Sequence, residues 1–197
     1  GESEFHGAGG PLTVSDPRSV HPLLDAWIDA GVEAGHARNE DFNGAEQEGV
    51  GRFQVTQRDG LRCSSAVAFL EGAPENLTVL PNTLALRIVW EGDRAAKVVV
   101  DQFGEVREIG VAGELIVSAG AYNSPHLLLQ SGVGDPADLA AAGIEAVHDL
   151  PEVGRNLQDH AGSFVSFTSD VPPAFGPDTS ADERRLRERG DGPMAWC

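Results

Sequence analysis

The chain has 197 residues, of which 41% are hydrophobic, and its formal net charge is −17. This length and composition predict a globular protein with its own core, while the acidic charge disfavours nucleic-acid binding because such a surface repels phosphate. No apolar run reaches the roughly 18 residues of a membrane span, and the first ten residues lack the basic start and apolar centre of a signal peptide.

The cysteine and lysine content adds two expectations about origin. Cys63 and Cys197 are too few for a disulfide framework, which predicts a reducing, cytoplasmic location. Lys97 is the only lysine, and the many Ala, Gly and Asp residues indicate a GC-rich bacterial or a salt-adapted source.

The first third of the chain predicts one helix followed by a long loop. The stretch HPLLDAWIDAGVEAG, residues 21–35, has Pro22 suited to a first helical turn and Gly35 suited to a helix end. Helical spacing places five residues on one face, namely Leu24, Trp27, Ile28, Gly31 and Val32. After a loop rich in turn formers, RFQVTQ predicts a short strand, and Ser64 or Ser65 is expected to cap a short helix that ends at Leu70.

From Asn76 onward the sequence is typical of strands. Four segments are rich in β-branched and large apolar residues, and EGDR and QFGE between them predict hairpin turns: NLTVL, LALRIVW, AAKVVVD and EVREIGV. The next segment, GELIVSAG, is a short apolar run that predicts a buried central strand.

The last part of the chain returns to helices and isolated strands. Pro125 is expected to open a helix that Gly132 closes, and Asp135 to cap a second helix that Gly143 ends. The segments IEAVHDL and SFVSFTSD predict strands. Beyond the proline-rich stretch from Pro172, ADERRLRER predicts a solvated helix.

Several candidate chemistries are disfavoured on spacing. No histidine or cysteine pair has the spacing of metal ligands, so no metal site is predicted. Asp159 and His160 are adjacent, but neighbouring residues point in different directions, so Asp159 is interpreted as a turn or cap residue. Ser64, Ser65 and Ser124 lack the surroundings of a nucleophile and are interpreted as helix caps. The stretch GVGDPA fits a dinucleotide fingerprint only formally, because a predicted helix precedes it where a strand is required.

The junction before the predicted helix is unusually bare of side chains. Ser118, Ala119, Gly120 and Ala121 leave the backbone open to close approach, and the free N–H groups that follow suit an anionic or hydrogen-bonding ligand. The alternative is that these small residues only let a helix and a strand pack tightly. The residues alone do not decide between the two interpretations.

The stretch GAYNSPHLLLQSGVG, residues 120–134, resembles the second signature of the glucose-methanol-choline (GMC) oxidoreductases. Four further stretches resemble the same family in the same order: HGAGGPLTVSDPR, DFNGAEQEGVGRFQVTQRDGLRCSSAVAFL, NLTVLPNTLALRIVWEG and DLPEVGRNLQDH. The resemblance covers the chain from about His6 to His160 and is closest to the bacterial choline dehydrogenase-like branch.

The resemblance implies an FAD-dependent enzyme that oxidises the CH–OH group of a small-molecule alcohol by hydride transfer to the flavin. It implies a mixed α/β fold in which part of a Rossmann-like FAD-binding domain, residues 61–160, interleaves with parts of an antiparallel-sheet substrate domain, residues 1–60 and 161–197. By the same resemblance, the backbone of Ala85 contacts the adenine, and Ser118, Ala119 and Gly120 pass beside the adenosine half of FAD.

Three parts of the family pattern are not found in these residues: the glycine-rich FAD fingerprint, the first signature and the catalytic histidine with its partner. No catalytic residue is therefore assigned, and His160 is not given that role. We expect an internal fragment of a larger enzyme, inactive alone and binding FAD weakly or not at all.

The alternative hypothesis is a non-catalytic binding or interaction module derived from the same fold. A nicotinamide-dependent dehydrogenase is disfavoured because the only glycine motif has the wrong flanks. The particular alcohol, the electron acceptor and the oligomeric state are not predicted.

Overall fold

The computed structural model describes residues 2–171 and 179–195, so Gly1, the stretch 172–178, Trp196 and Cys197 lie outside it. The described residues form a mixed α/β structure, as predicted. In chain order its elements are α1 (Pro22–Glu33), β1 (Gln57–Arg58), β2 (Leu61–Arg62), α2 (Ser65–Leu70), β3 (Thr83–Glu91), β4 (Arg94–Gln102), β5 (Glu105–Gly110), α3 (Gly120–Gln130), β6 (Val133–Gly134), α4 (Pro136–Ala141), β7 (His148–Asp149) and α5 (Ser180–Arg189).

The chain divides into two compact units. Unit one comprises residues 1–77 and 166–197, and unit two comprises residues 78–165. Which unit belongs to a cofactor domain and which to a substrate domain stays a prediction. No helix among the described residues is both long and apolar enough to cross a membrane.

In unit one, α1 begins and ends where the sequence predicts. The His21 side chain accepts a hydrogen bond from the Leu23 N–H, and Pro22 occupies the first turn. Of the predicted apolar face, Ile28 is buried and Gly31 packs so closely on Val50 that an added Cβ would lie 2.8 Å from Val50 Cγ1. Trp27 is 66% exposed, so the buried face is narrower than helical spacing alone indicates.

The C-terminal segment of unit one is fastened to its N-terminal part by polar contacts. The buried Gln57 side chain donates from Nε2 to the Ala195 carbonyl at 2.8 Å, and the Gly192 N–H donates to Ser19 Oγ at 2.8 Å. Gly60, in the β1–β2 turn, lies against Gly190, where an added Cβ would be 1.6 Å from the Gly190 carbonyl oxygen. Residues far apart in sequence therefore share one core.

Unit two is built on the antiparallel order β3-β4-β5 that the sequence predicts. The β4–β5 turn has positive φ at both central residues, 57° at Phe103 and 85° at Gly104, as a type I′ turn requires. The β3–β4 turn has Gly92 at φ 60°. The meander buries Ile88, Val99 and Val100. Behind it, β6 and β7 form a short parallel pair.

Helix α3 packs on β3 through one buried serine. Ser131 Oγ accepts the Ile88 N–H at 2.8 Å and donates to the Leu127 carbonyl at 2.5 Å, while the Ser131 carbonyl accepts from Trp90 Nε1 at 2.8 Å. The C-terminal end of α3 is thereby fixed to the meander.

The expected start of α3 was wrong by five residues. The helix begins at Gly120 and contains Pro125, because Ser124 Oγ accepts the Ala119 N–H at 2.9 Å and fixes a turn upstream of the proline. Gly132, at φ +81°, follows its end as predicted. Ser64 caps α2, Asp135 caps α4, and α5 covers the predicted charged helix.

Three predicted strands form no strand pairing among the described residues, and GELIVSAG runs into the first residue of α3: NLTVL, GELIVSAG and SFVSFTSD. Apolar side chains in them stand in solvent, with Ile116 78% and Phe164 99% exposed. Their local pattern is that of strands, but a strand also needs a neighbouring backbone, and no described strand pairs with these segments.

The Gly60–Gly190 contact predicts a large cost for a methyl group at position 60. We expect Gly60→Ala to lower the free energy of unfolding by about 2–4 kcal/mol, because a positive φ costs about 1–2 kcal/mol and the Cβ also collides with backbone. Gly72→Ala is the matched control, since Gly72 has φ +76° and nothing within 4 Å. Chemical denaturation compares the two, and equal losses would contradict the packing role.

The Ser131 contacts predict a second stability effect. Ser131→Ala leaves the buried Ile88 N–H without its acceptor and should cost about 1–3 kcal/mol. Ser124→Ala deletes a hydroxyl in the same helix whose partner N–H is exposed, so water replaces it at little cost. Denaturant titration followed by circular dichroism measures both variants, and similar losses would show that Ser131 is not the fastening residue.

Candidate functional site

The candidate site is the junction where an extended segment enters α3 in unit two. Ser118, Ala119 and Gly120 are all exposed. Ala119 is the residue that precedes the helix and offers no side-chain cap, with φ −88° and ψ 8°. Gly120 has φ +88°, and apart from its chain neighbours and the backbone of its own helix no heavy atom lies within 4 Å of where its Cβ would be. The junction therefore carries only small side chains, and its backbone is accessible from outside.

At the other end of α3, glycine is required for a different reason, which is close packing. A Cβ at Gly132 would lie 2.5 Å from the Glu145 carbonyl oxygen, and one at Gly134 would lie 2.6 Å from Leu129 Cδ2. Tight packing therefore explains the second half of the stretch 120–134. It does not explain Gly120, where space is free.

The open end of α3 has the chemistry of a binding site for an anion or a hydrogen-bond acceptor. The first four N–H groups of an α-helix have no partner inside the helix, and the helix dipole places partial positive charge there. In α3 these are the N–H groups of residues 119–122; that of Ala119 donates to Ser124 Oγ, which leaves those of 120–122 open, and the first turn contains no acidic residue that would compete for them.

A cavity of about 400 Å³ extends along α3 from this junction. Its lining includes Ala121, Tyr122, His126 and Arg155. The Arg155 guanidinium forms an ion pair with Asp138, which holds its charge at the rim. Sequence reasoning missed this cavity, although Tyr122 and His126 have the i, i+4 spacing that places two side chains on one helix face.

The structure groups three of the four predicted cofactor residues and leaves the fourth apart. Ser118, Ala119 and Gly120 are consecutive at the start of α3, whereas Ala85 is a half-buried residue of β3 paired with Val100, next to a β-bulge. Among the described residues, no hydrogen bond or ion pair joins Ala85 to the junction. The contacts between α3 and β3 described above run from Ser131 to Ile88 and Trp90, at the far end of the helix.

The structure adds detail on the disfavoured chemistries. Asp159 Oδ1 accepts the backbone N–H of His160 at 2.8 Å, so the carboxylate turns the chain. The formal fingerprint GVGDPA follows α3 and contains only the two-residue β6 before α4. Within residues 2–171 and 179–195, no group of three or more His, Cys, Asp or Glu side chains is arranged to hold a metal ion.

Strong charge interactions lie on the sheet surface. Lys97 Nζ lies 2.7 Å from Glu108 Oε2, and this hydrogen bond and the attraction between the charges raise the pKa of Lys97 and lower the pKa of Glu108. The pair joins β4 to β5 at an exposed position and has no neighbour with catalytic geometry.

Comparison with known proteins gives relatives over most of the chain. The alcohol dehydrogenase [acceptor] of Pseudomonas putida is 46% identical over 163 residues, which are 81% of this chain and 30% of the relative. The oxygen-dependent choline dehydrogenase of Pseudomonas putida strain KT2440 is 40% identical over 183 residues, 90% of this chain and 32% of the relative. This chain thus spans about a third of the length of these relatives.

Comparisons with solved structures and with family sequence profiles give the same result as the comparison with these relatives. A crystal structure of formate oxidase superposes with a TM-score of 0.84 and 26% identity, over 96% of this chain and 35% of the other. The sequence profile of the GMC oxidoreductase family matches residues 2–162. The chain therefore belongs to the GMC oxidoreductase family, as its signature stretch indicates.

Proposed function

We propose that these residues belong to an FAD-dependent enzyme that oxidises the CH–OH group of a small-molecule alcohol, with hydride transfer to the flavin. The observation that carries the proposal is the open start of α3, where Gly120 has positive φ and free space around it, inside a chain of the GMC family. An open junction fits a bulky ligand that passes close to the backbone. The names of the relatives, an alcohol and a choline dehydrogenase, support an alcohol as the substrate class.

In this proposal the chain contributes binding groups. Ser118, Ala119 and Gly120 give the adenosine half of FAD access to the backbone, and the first N–H groups of α3 donate to its polar atoms. Main-chain atoms of Ala85 face the adenine. When bound, FAD would supply the acceptor for the hydride of the alcohol carbon.

The proton-accepting base is placed elsewhere in the enzyme. Asp159 bonds the backbone beside His160 and leaves the imidazole without a carboxylate partner among the described contacts. No catalytic residue is assigned to residues 1–197, and the chain alone is expected to be inactive. Residues 61–160 are assigned to the FAD-binding domain and residues 1–60 and 161–197 to the substrate domain. A cytoplasmic location stays a prediction.

The alternative is a non-catalytic module that uses the same fold to bind a partner. The two hypotheses differ in whether flavin is present in the natural protein. They also differ in the coding frame, since the module requires a start and a stop that bound these residues.

The first test is an absorbance spectrum and a mass measured on the protein purified from its own source. We expect flavin bands and a mass well above that of 197 residues, because the chain spans about a third of its relatives. Recombinant residues 1–197 serve as the comparison and should take up little or no added FAD. A colourless natural protein of 197 residues would overturn the enzyme proposal and favour the module.

A charge at the start of α3 gives a second test, made in the natural full-length protein. Ala119→Asp should stabilise the helix by about 1 kcal/mol, since an acidic residue caps it and complements its dipole. The same carboxylate should lower flavin affinity about tenfold, equivalent to about 1.4 kcal/mol, because it accepts hydrogen bonds from the N–H groups of the first turn and repels an anionic ligand there. Absorbance ratios during dialysis against FAD measure affinity, and thermal melting measures stability.

Thr179→Asp is the matched control for that substitution. Thr179 also precedes a helix without a side-chain cap, at α5 in unit one. Thr179→Asp should also stabilise the helix that it precedes, and it should leave flavin affinity unchanged. Equal flavin affinity in both variants would contradict a role for the α3 junction in binding.

A further inference from the structure

The turn formed by residues 3–6 in unit one places a serine hydroxyl on an imidazole. The Ser3 N–H donates to the His6 carbonyl at 3.0 Å, and the His6 N–H donates to the Ser3 carbonyl at 3.4 Å. Ser3 Oγ lies 2.9 Å from His6 Nδ1, which is the distance of a normal hydrogen bond. Local backbone hydrogen bonds therefore hold a candidate nucleophile beside a candidate base.

A carboxylate from a second loop of unit one lies at the other nitrogen of the same imidazole. His6 Nε2 is 3.4 Å from Asp41 Oδ1. The loop of Asp41 is itself held in place, because the Asp41 N–H donates to Asn39 Oδ1 at 2.7 Å and Asn39 Nδ2 donates to the Glu46 carbonyl at 2.8 Å. Three side chains from two loops are thus arranged in the order serine, histidine, aspartate.

The two partners of His6 determine which of its nitrogens carries the proton. The Asp41 carboxylate favours the proton on Nε2, because an ionised carboxylate only accepts hydrogen bonds. Nδ1 then has a lone pair that accepts the Ser3 hydroxyl proton. A base within hydrogen-bond reach that is oriented by a third group is the arrangement that activates a serine. The two ring nitrogens are exchanged relative to the usual Ser-His-Asp order, but geometry and roles define such a site.

We propose that Ser3, His6 and Asp41 form an acyl-transfer site that hydrolyses small uncharged esters. Ser3 Oγ attacks the ester carbonyl carbon while its proton passes to His6 Nδ1; the bond from that carbon to the alcohol oxygen breaks, and His6 gives the proton to the departing oxygen. Water, deprotonated by the same nitrogen, then releases the acid and restores the Ser3 hydroxyl. Asp41 is a positioning residue that orients the imidazole. No group is oxidised or reduced, so this reaction uses no flavin and is separate from the proposed alcohol oxidation.

The surroundings of Ser3 indicate which esters suit the site. Ser3 is exposed, so a substrate reaches the hydroxyl from solvent. Glu2 and Glu4 flank the serine, and their carboxylates repel an anionic ester. The Phe5 N–H donates to Ser3 Oγ at 3.2 Å, and no second donor to that oxygen besides the imidazole is found among the described residues. With few donors to stabilise an oxyanion the reaction is expected to be slow, which favours esters with a good leaving group.

A second serine has the same turn contact without the base. Ser169 Oγ accepts the Val171 N–H at 3.1 Å, as Ser3 Oγ accepts the Phe5 N–H, and Ser169 is also exposed. Within the described part of the chain, no imidazole contacts Ser169. The turn alone therefore does not require a histidine, and Ser169 is an internal control for the reactivity of Ser3.

Acylation by p-nitrophenyl acetate tests the proposal in the natural full-length protein, with no alcohol substrate present. We expect Ser3 to be acetylated on the order of 100-fold faster than Ser169, which is the lower end of what a general base contributes. Peptide mass spectrometry of acid-quenched samples measures the acetyl group on each serine, and absorbance follows the released p-nitrophenolate. Equal acetylation of the two serines would overturn the proposal. The measurement does not involve flavin, so a failure here is separate from a failure of the proposed function.

Substitutions of the nucleophile and the base assign their roles. Ser3→Ala should lower p-nitrophenolate release, whereas Ser169→Ala should leave it unchanged. His6→Gln should slow acetylation of Ser3 about 100-fold, because the hydroxyl loses its base. If Ser3→Ala leaves release unchanged, another group takes the acetyl and the proposal fails. It fails equally if Ser3 is acetylated at the original rate in His6→Gln.

Asp41→Asn tests the positioning role. The amide oxygen still accepts the Asn43 N–H, which Asp41 Oδ1 accepts at 3.1 Å, so the loop is kept while the charge is lost. We expect kcat for the ester to fall about tenfold, with KM and the thermal midpoint unchanged, because the imidazole is no longer held in its reactive tautomer. An unchanged kcat would show that Asp41 does not act through His6 and would overturn the three-residue site.

Discussion

The arrangement of unit two depends on the hydrogen bonds of Ser131. They satisfy the Ile88 N–H inside the meander and hold the Trp90 indole, so a helix end and a strand are joined through buried polar groups. Leaving such buried groups unpaired costs free energy, so these hydrogen bonds specify where the end of α3 lies on β3. With the C-terminal end of α3 fixed in this way, its other end projects free of the meander contacts and its N–H groups remain open to a ligand.

The signature stretch 120–134 therefore performs two tasks with similar residues. At Gly132 and Gly134 the absence of a side chain permits backbone contact, and a methyl group would collide with its neighbours. At Gly120 the absence of a side chain leaves space. Packing accounts for one end of the signature and an open backbone is found at the other, and the proposed cofactor contact concerns only the second.

Elements whose determinants are local could be predicted from the sequence. The meander followed from segments rich in β-branched and large apolar residues and from turns such as Phe103-Gly104, whose positive φ values match the strand twist. The caps at Ser64 and Asp135 followed from single side chains. The small side chains of the junction were also visible in the sequence, but the residues alone did not decide between access for a ligand and tight packing. The packing of Ser131 could not be predicted, because its partner Ile88 is distant in sequence.

The failed strand and burial predictions share one cause, which is dependence on a non-local partner. The residues of GELIVSAG specify a strand, yet strand formation also requires a neighbouring backbone that no local pattern supplies. Trp27 shows the same limit in unit one, because helical spacing gives a face but not what covers it. Sequence pattern thus indicates what a segment can form, and the partners decide whether it forms.

Under the proposed function, the same dependence couples ligand binding to the fold. A ligand that contacts 118–120 must find the backbone already in place, or part of the binding free energy is spent on ordering it. The helix side of the junction is held by Ser131, but the strand side has no partner in the described residues. Binding to the isolated chain would have to order the strand at the same time. Weak flavin binding by residues 1–197 is therefore expected from the unpaired segment as well as from the FAD fingerprint that these residues do not contain.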